Sequence, residues 1–482
     1  MSDDPVYNGI NGSTGQYLPA PTDRQIVQSL DKPPLSPAER RHYRWWVERY
    51  GINDPHRAST HSVDPCKISS AGWCVVFGPE IQEDVKEALR PLLRHREQEA
   101  GPFYKEYTYQ PGRPKMDFLG DHGAGPGPAD PRHVPYYVLL VGDPRNISYR
   151  FQYELDVQYA VGRLCFDSTA EYAHYAQGVV DTEKRIEPPR PKRVEFFATS
   201  HPDDRATRRT RFELIEPLAK RLMDKQRDWP VLLSTGESAT KSRLASLLGG
   251  PETPALLFAA MHGLRFDLET EPERVLQEQG SLLCQEWPGK EQWGERPIPP
   301  ELYFSAADVP ADANLRGSIA ILYACYSAGT PEISDFEMPL FGRPPRIAPH
   351  DLLSRLSQRL LGHPRGALAV LGHVDRAWTT SFSWTGAGQP QVFENILARL
   401  LDGHPIGSAT EYVNQRHAEL AAEVVGFYLD LQSRSRDLDP EDSDRFSATF
   451  SRHLRANSDA RNFVVVGDPA VRIAEPRQPK PF

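Results

Sequence analysis

Short unbroken apolar runs, separated by stretches of helical spacing, constrain this chain more than any other feature. They fall at Trp73–Phe77 (WCVVF), Tyr136–Val141 (YYVLLV), Val194–Thr199 (VEFFAT), Val231–Leu233, Ala255–Ala260 (ALLFAA), Ser318–Ala324 (SIAILYA), Ala367–Leu371 and Phe463–Val466 (FVVV). A strand with one wet face alternates polar and apolar residues, and these runs do not. They are strands covered on both faces, the pattern of a mostly parallel sheet with helices on each side. The helices predicted between them cover Glu80–Glu97, Thr169–Lys184, Ala206–Met223, Ser238–Leu248, Pro349–Leu361, Gln391–Leu401 and about 407–431. In the first, Val85, Leu89, Leu92 and Leu93 share one face.

At 482 residues the chain suggests two or three units, or one large α/β domain with insertions. Residues 1–60 read as a partly disordered tail, with one short amphipathic helix at Arg40–Tyr50 that docks through Trp45, Trp46 and Tyr50. Residues 61–190 form an N-terminal α/β subdomain and 191–476 a second α/β domain. Gly101–Pro131 reads as a Gly/Pro-rich loop, and about 267–310 as a long insertion rich in Glu and Pro. The strand ending Gly142-Asp143-Pro144 recurs as Gly467-Asp468-Pro469.

Acidic residues (65) outnumber basic ones (56), giving a net charge of -9, which argues against a nucleic-acid partner. The basic run from Arg205 to Arg211 reads as a solvated helix face. Cys66, Cys74, Cys165, Cys284 and Cys325 are odd in number and lack metal-type spacing, a pattern of free thiols in a reducing compartment. No apolar stretch is long enough for a membrane span, and the first residues lack a secretory signal pattern. The expectation is a cytoplasmic protein with no membrane partner, no metal and no cofactor.

Ligands of parallel sheets bind beyond the carboxyl ends of the strands. The candidates are therefore Gly142 and Asp143; Ser200 and His201; His262 and Gly263; Cys325 and Ser327; and His373 and Asp375. One pair stands out: a strand followed by His262-Gly263, then a strand followed by Cys325. A thiol nucleophile needs an imidazole to take its proton, and the tetrahedral intermediate needs backbone N–H donors. The amides of Gly263 and Cys325 are suited to that second task.

Through Leu256–Gly263 (LLFAAMHG) and Ile319–Gly329 (IAILYACYSAG), the chain resembles the caspase–gingipain group of cysteine peptidases, which includes the CHAT proteases. Tyr137–Pro144 (YVLLVGDP), Tyr159–Leu164 and the closing Asn462–Pro469 (NFVVVGDP) extend the resemblance over roughly residues 70 to 475. It implies a caspase-like fold and an endopeptidase acting on polypeptides through a His262–Cys325 dyad. Gly263 and Cys325 amides would form the oxyanion hole, without a catalytic metal. It also implies an S1 pocket. Asp375, after the next strand, is the candidate for pairing an Arg or Lys side chain at P1, with Trp378 or Trp384 covering its stem. Arg265 or Arg376 would instead read an acidic P1. The long insertion and prokaryotic relatives suggest a latent protease, or zymogen, in antiviral defence, switched on by an activating protease or a regulatory partner.

Two other readings stay open. Cys325-Tyr-Ser-Ala-Gly329 approaches a G-x-S-x-G elbow, so Ser327 with His404 or His417 would make an α/β-hydrolase. Alternatively, the fold serves as a catalytically inactive scaffold or binding module.

Overall fold

The computed structural model describes residues 6–18, 63–225, 228–337, 344–384, 387–434, 440–473 and 475. The apolar runs become strands of one ten-stranded sheet. In chain order they are β1 (Trp73–Phe77), β2 (Tyr104–Thr108), β3 (Tyr137–Val141), β4 (Ala160–Leu164), β5 (Val194–Ala198), β6 (Val231–Thr235), β7 (Leu256–Ala260), β8 (Ile319–Tyr323), β9 (Ala369–His373) and β10 (Phe463–Gly467). Their spatial order is β2-β1-β3-β4-β10-β9-β8-β7-β5-β6. The fold is mixed α/β, with a mostly parallel central sheet flanked by helices. Each residue of β1, β3, β4, β5, β7, β8, β9 and β10 is buried, as their lack of alternation requires. Helix Glu83–Ala100 packs on Thr169–Glu183, where Ser168 forms a capping box with Glu171.

The last strand determines which strand ends share an edge of the sheet. β10 runs parallel to β4 but antiparallel to β9. The strands of the N-terminal half therefore end at the opposite edge of the sheet from β7, β8 and β9. The two Gly-Asp-Pro turns lie at that far edge. Asp143 is engaged there with Arg145 (2.7 Å), and buried Asp468 accepts from Trp73 Nε1 (2.9 Å) and Arg96 Nε (2.7 Å). Their recurrence is structural, and Asp143 stays apart from His262 and Cys325.

Several stretches differ from the sequence expectation, among them Gly101–Pro131, expected as a loop, which holds β2 and the helix Lys115–Asp121. Residues 6–18, expected within a tail, contain the strand Gly9–Asn11. The Arg40–Tyr50 helix lies outside the described residues. The Glu/Pro-rich insertion contributes two strands, Leu282–Leu283 and Tyr303–Phe304, to a small four-stranded sheet ordered Gly9–Asn11, Gly263–Arg265, Leu282–Leu283 and Tyr303–Phe304, over a core of Ile10, Leu264, Phe266, Trp287, Ile298 and Tyr303. Beyond the long helix Glu411–Arg434 comes a second, Pro440–Arg461, packed against it. Among the described residues no helix is long and apolar enough to cross a membrane.

Candidate active site

β7 and β8 are adjacent and in register, with Tyr323 opposite Ala260, so His262 and Cys325 leave the same edge of the sheet from neighbouring strands. Gly263 is what lets their tips approach: a Cβ there would overlap the carbonyl group of Cys325. Cys325 is followed by Tyr326 at φ 60, a left-handed residue whose N–H donates to Asp375 O (2.7 Å); Asp375 itself has φ 74. Such backbone persists only where the surroundings over-determine it.

His262 is buried, and its Nε2 is hydrogen-bonded to Asp204 Oδ2. The other oxygen of Asp204 accepts from Ala206 N (2.8 Å) and Thr207 N (3.4 Å), capping the helix that starts at Arg205. The charge and hydrogen bond of His262 outweigh the effect of burial and hold the Asp204 carboxyl down at about 2. His262 Nδ1 has no hydrogen-bond partner among the described residues. The imidazole is thus anchored at one nitrogen and free for chemistry at the other. Cys325 Sγ accepts from Ala377 N (3.3 Å), and burial pushes its thiol above the usual cysteine range.

The N-terminal segment lies across this pair. The carbonyl oxygen of Asn8 accepts from Gly263 N (3.0 Å) and from Cys325 N (3.2 Å). Asn8 N donates to Ala377 O (3.1 Å), and Thr379 N donates to Val6 O (2.8 Å). Tyr7 bridges Trp378 in antiparallel fashion. A Cβ on Gly9 would sit 3.0 Å from Cys325 Sγ. Gly9, Ile10 and Asn11 then pair in parallel with Gly263, Leu264 and Arg265. The chain turns back, and the Tyr17 ring closes over His262 (5.9 Å between centroids). Burial and the Asp204 charge push the Tyr17 phenol above its ordinary range.

The residues assigned to an S1 pocket are placed differently. The Asp375 carboxylate is buried and accepts from Ser334 Oγ (2.8 Å) and Asp335 N (3.0 Å), fixing the loop at 334–335. Burial, reinforced by the Asp335 charge, raises its pKa to about 7. Trp378 meets the Tyr7 ring (4.7 Å). Trp384 packs against His453 (5.0 Å) of the second long helix. Arg265 and Arg376 share the carboxylate of Glu337. Ser327 is buried, donates to Leu322 O (2.7 Å) and accepts from His373 N (3.0 Å). His404 meets Cys66 Sγ (3.2 Å) and His417 meets Asn457, so neither serves Ser327.

Two acids escaped the sequence reading. Asp204 sits just past the end of β5, inside the zone the strand-end rule marks, but its pattern is that of a helix cap. Asp459, on the second long helix, accepts from Trp378 N (2.9 Å), Thr380 Oγ1 (2.7 Å) and Ser381 Oγ (2.7 Å), and so holds the segment that pairs with residues 6–8.

No protein-family model and no curated protein matches the chain. Several solved structures do. One described as a protease has TM-score 0.47 and 13% identity, over 84% of this chain and 79% of its own. The complex of the Porphyromonas gingivalis RgpB pro- and mature domains has TM-score 0.45 and 12% identity, over 84% and 80%. The Arg-specific cysteine proteinase gingipain R has TM-score 0.40 and 12% identity, over 84% and 79%. The chemistry assigned to the site rests on its own geometry.

Chemically, the site holds a thiol, an imidazole oriented by a carboxylate, and two convergent N–H donors on one peptide carbonyl. Those are the parts acyl transfer from an amide needs.

Proposed function

We propose that the chain is a cysteine endopeptidase, with Cys325 as nucleophile and His262 as general base and acid. The observation that carries this reading is the Asn8 carbonyl, held by the Gly263 and Cys325 amides beside Cys325 Sγ. In a bound substrate, the thiol proton passes to His262 Nδ1 and the sulfur attacks the carbonyl carbon. The two amides take the negative charge on oxygen. Collapse breaks the C–N bond, and the imidazolium returns its proton to the leaving amine. Water, deprotonated by the same imidazole, then hydrolyses the thioester and restores the thiol. Asp204 positions the ring and stabilises its charged form throughout.

Residues 6–18 lie where such a substrate would, which supports a latent enzyme. An activating protease, or a partner that draws this segment out, would open the cleft. The basic-P1 reading loses its support here, since the Asp375 carboxylate is committed to Ser334 and Asp335. The test is peptide hydrolysis by the chain opened with Tyr7→Ala, which removes the ring packed against Trp378, and by the same chain carrying Cys325→Ala or His262→Ala. Loss in both, with an unchanged circular dichroism spectrum, supports the assignment; undiminished turnover in Cys325→Ala rejects it.

A further inference from the structure

Resting on the peptidase reading, we propose that the S1 subsite is built for asparagine. In this proposal Val6, Tyr7 and Asn8 occupy the S3, S2 and S1 positions as an internal copy of the preferred substrate.

The backbone fixes the register. Asn8 supplies the carbonyl that both oxyanion donors grip, so its side chain is the one that fills S1. Val6 and Asn8 pair with Thr379 and Ala377 as an antiparallel strand, and Val6 N also donates to Thr379 Oγ1 (3.1 Å). This is the manner in which an extended peptide adds to a waiting edge.

The side chain gives the chemistry. Asn8 is fully buried, and its Nδ2 donates to Thr210 Oγ1 (3.2 Å). The Thr210 hydroxyl donates in turn to Ala206 O (2.9 Å), a carbonyl of the same helical stretch. A hydroxyl has one proton. With that proton committed to Ala206, Thr210 presents a lone pair to the pocket and selects a donor. An amide NH2 satisfies it; the isosteric carboxylate of Asp sets charge against a lone pair. Thr210 is itself buried, so the pocket floor is close, and an Arg or Lys must displace it. Asn8 Oδ1 meets no donor from the described residues, so discrimination rests on Nδ2. A site built to hydrogen-bond one polar group rejects analogues lacking it far better than an apolar pocket does.

The neighbouring subsite favours an aromatic residue. The Tyr7 ring lies against Trp378 (4.7 Å) and under the Arg376 guanidinium (5.0 Å), which Glu337 holds. The substrate class is therefore polypeptides carrying an aromatic-Asn pair in an extended stretch, cut after the Asn.

The experiment uses the full chain in three forms: wild type, Asn8→Asp and Asn8→Arg. Alkylation of Cys325 by iodoacetamide, followed by peptide mass mapping, reads how well each segment fills the cleft. Both variants should label at least about tenfold faster than wild type. The opened Asn8→Asp chain is then given Val-Tyr-Asn, Val-Tyr-Asp and Val-Tyr-Arg reporters. The Asn reporter should be cleaved with kcat/KM at least about tenfold above the other two, and Thr210→Val should flatten that ratio. Cys325-dependent cleavage that prefers the Arg or Asp reporter overturns the asparagine pocket while leaving the peptidase intact. Equal protection of Cys325 in all three chains also overturns it. Failure on every reporter, with Cys325 readily alkylated, ends both proposals.

Discussion

Asp204 holds His262 through one carboxylate oxygen and caps the helix at Arg205 with the other. Position of the imidazole and direction of the helix that bears Thr210 are thus tied to a single side chain. Asp204→Asn keeps the cap, since Asn is an equal N-cap, but no longer stabilises an imidazolium. We expect kcat/KM to fall by about 10² or more with the fold retained. The stability effect has a definite sign. A carboxyl held at about 2 contributes stability that is fully present above the ordinary carboxylate range and lost as pH falls through about 2. The difference between wild type and Asp204→Asn in urea midpoints should therefore narrow between pH 4 and pH 2, from on the order of 2 kcal/mol. A constant gap would contradict the ion pair.

Gly263→Ala is expected to separate activity from gross structure. The new Cβ meets the Cys325 carbonyl, and relief requires the two strand tips to part, moving both oxyanion donors. Stability should drop by about 1–3 kcal/mol. Activity should drop further, by about 10²-fold, because each donor acts only when aimed at the carbonyl oxygen. Thermal melting alongside steady-state kinetics checks this; wild-type kinetics would show that the amides are not used.

Asp375 reports burial rather than specificity. Its carboxyl is raised to about 7, so folding favours the neutral form. Its contribution is full below the ordinary carboxylate range, is lost as pH rises towards about 7, and is flat above. Asp375→Asn fixes that neutral form, and Asn tolerates the left-handed backbone. Relative to wild type the variant should gain on the order of 3 kcal/mol between pH 4 and pH 8, read from urea midpoints. Parallel stability curves would contradict the assignment.

Ser327→Ala should leave hydrolysis within about twofold of wild type, since its hydroxyl bridges Leu322 and His373 rather than a base. A cost of about 1–3 kcal/mol should appear in unfolding, from the buried groups left unpaired. Abolished hydrolysis with a normal midpoint would restore the serine-hydrolase reading.

What could be read from sequence follows from burial. Doubly covered strands such as β7 and β8 carry no polar positions, so their ends, and hence His262 and Cys325, stood out. β2, reading Tyr-Lys-Glu-Tyr-Thr at the sheet edge, is half wet and lay hidden in an expected loop. The core of the insertion is carried by scattered residues, Trp287, Ile298 and Tyr303, that a Glu/Pro-rich composition masks. Asp204 carried the signature of its other role. Residues 6–18 were hardest, because their strand is made by pairing with Gly263–Arg265, hundreds of residues away, and nothing local demands it.

The central claim is that Cys325 attacks a carbonyl presented where Asn8 now lies. Its most direct measurement is hydrolysis of a Val-Tyr-Asn reporter by the full chain carrying Tyr7→Ala, which removes the ring packed against Trp378, with and without Cys325→Ala. The expected result is turnover at least about tenfold above wild type, falling by about 10³ or more when the sulfur is removed. Turnover that survives Cys325→Ala, or none at all from a chain whose Cys325 has become freely alkylated, would contradict it.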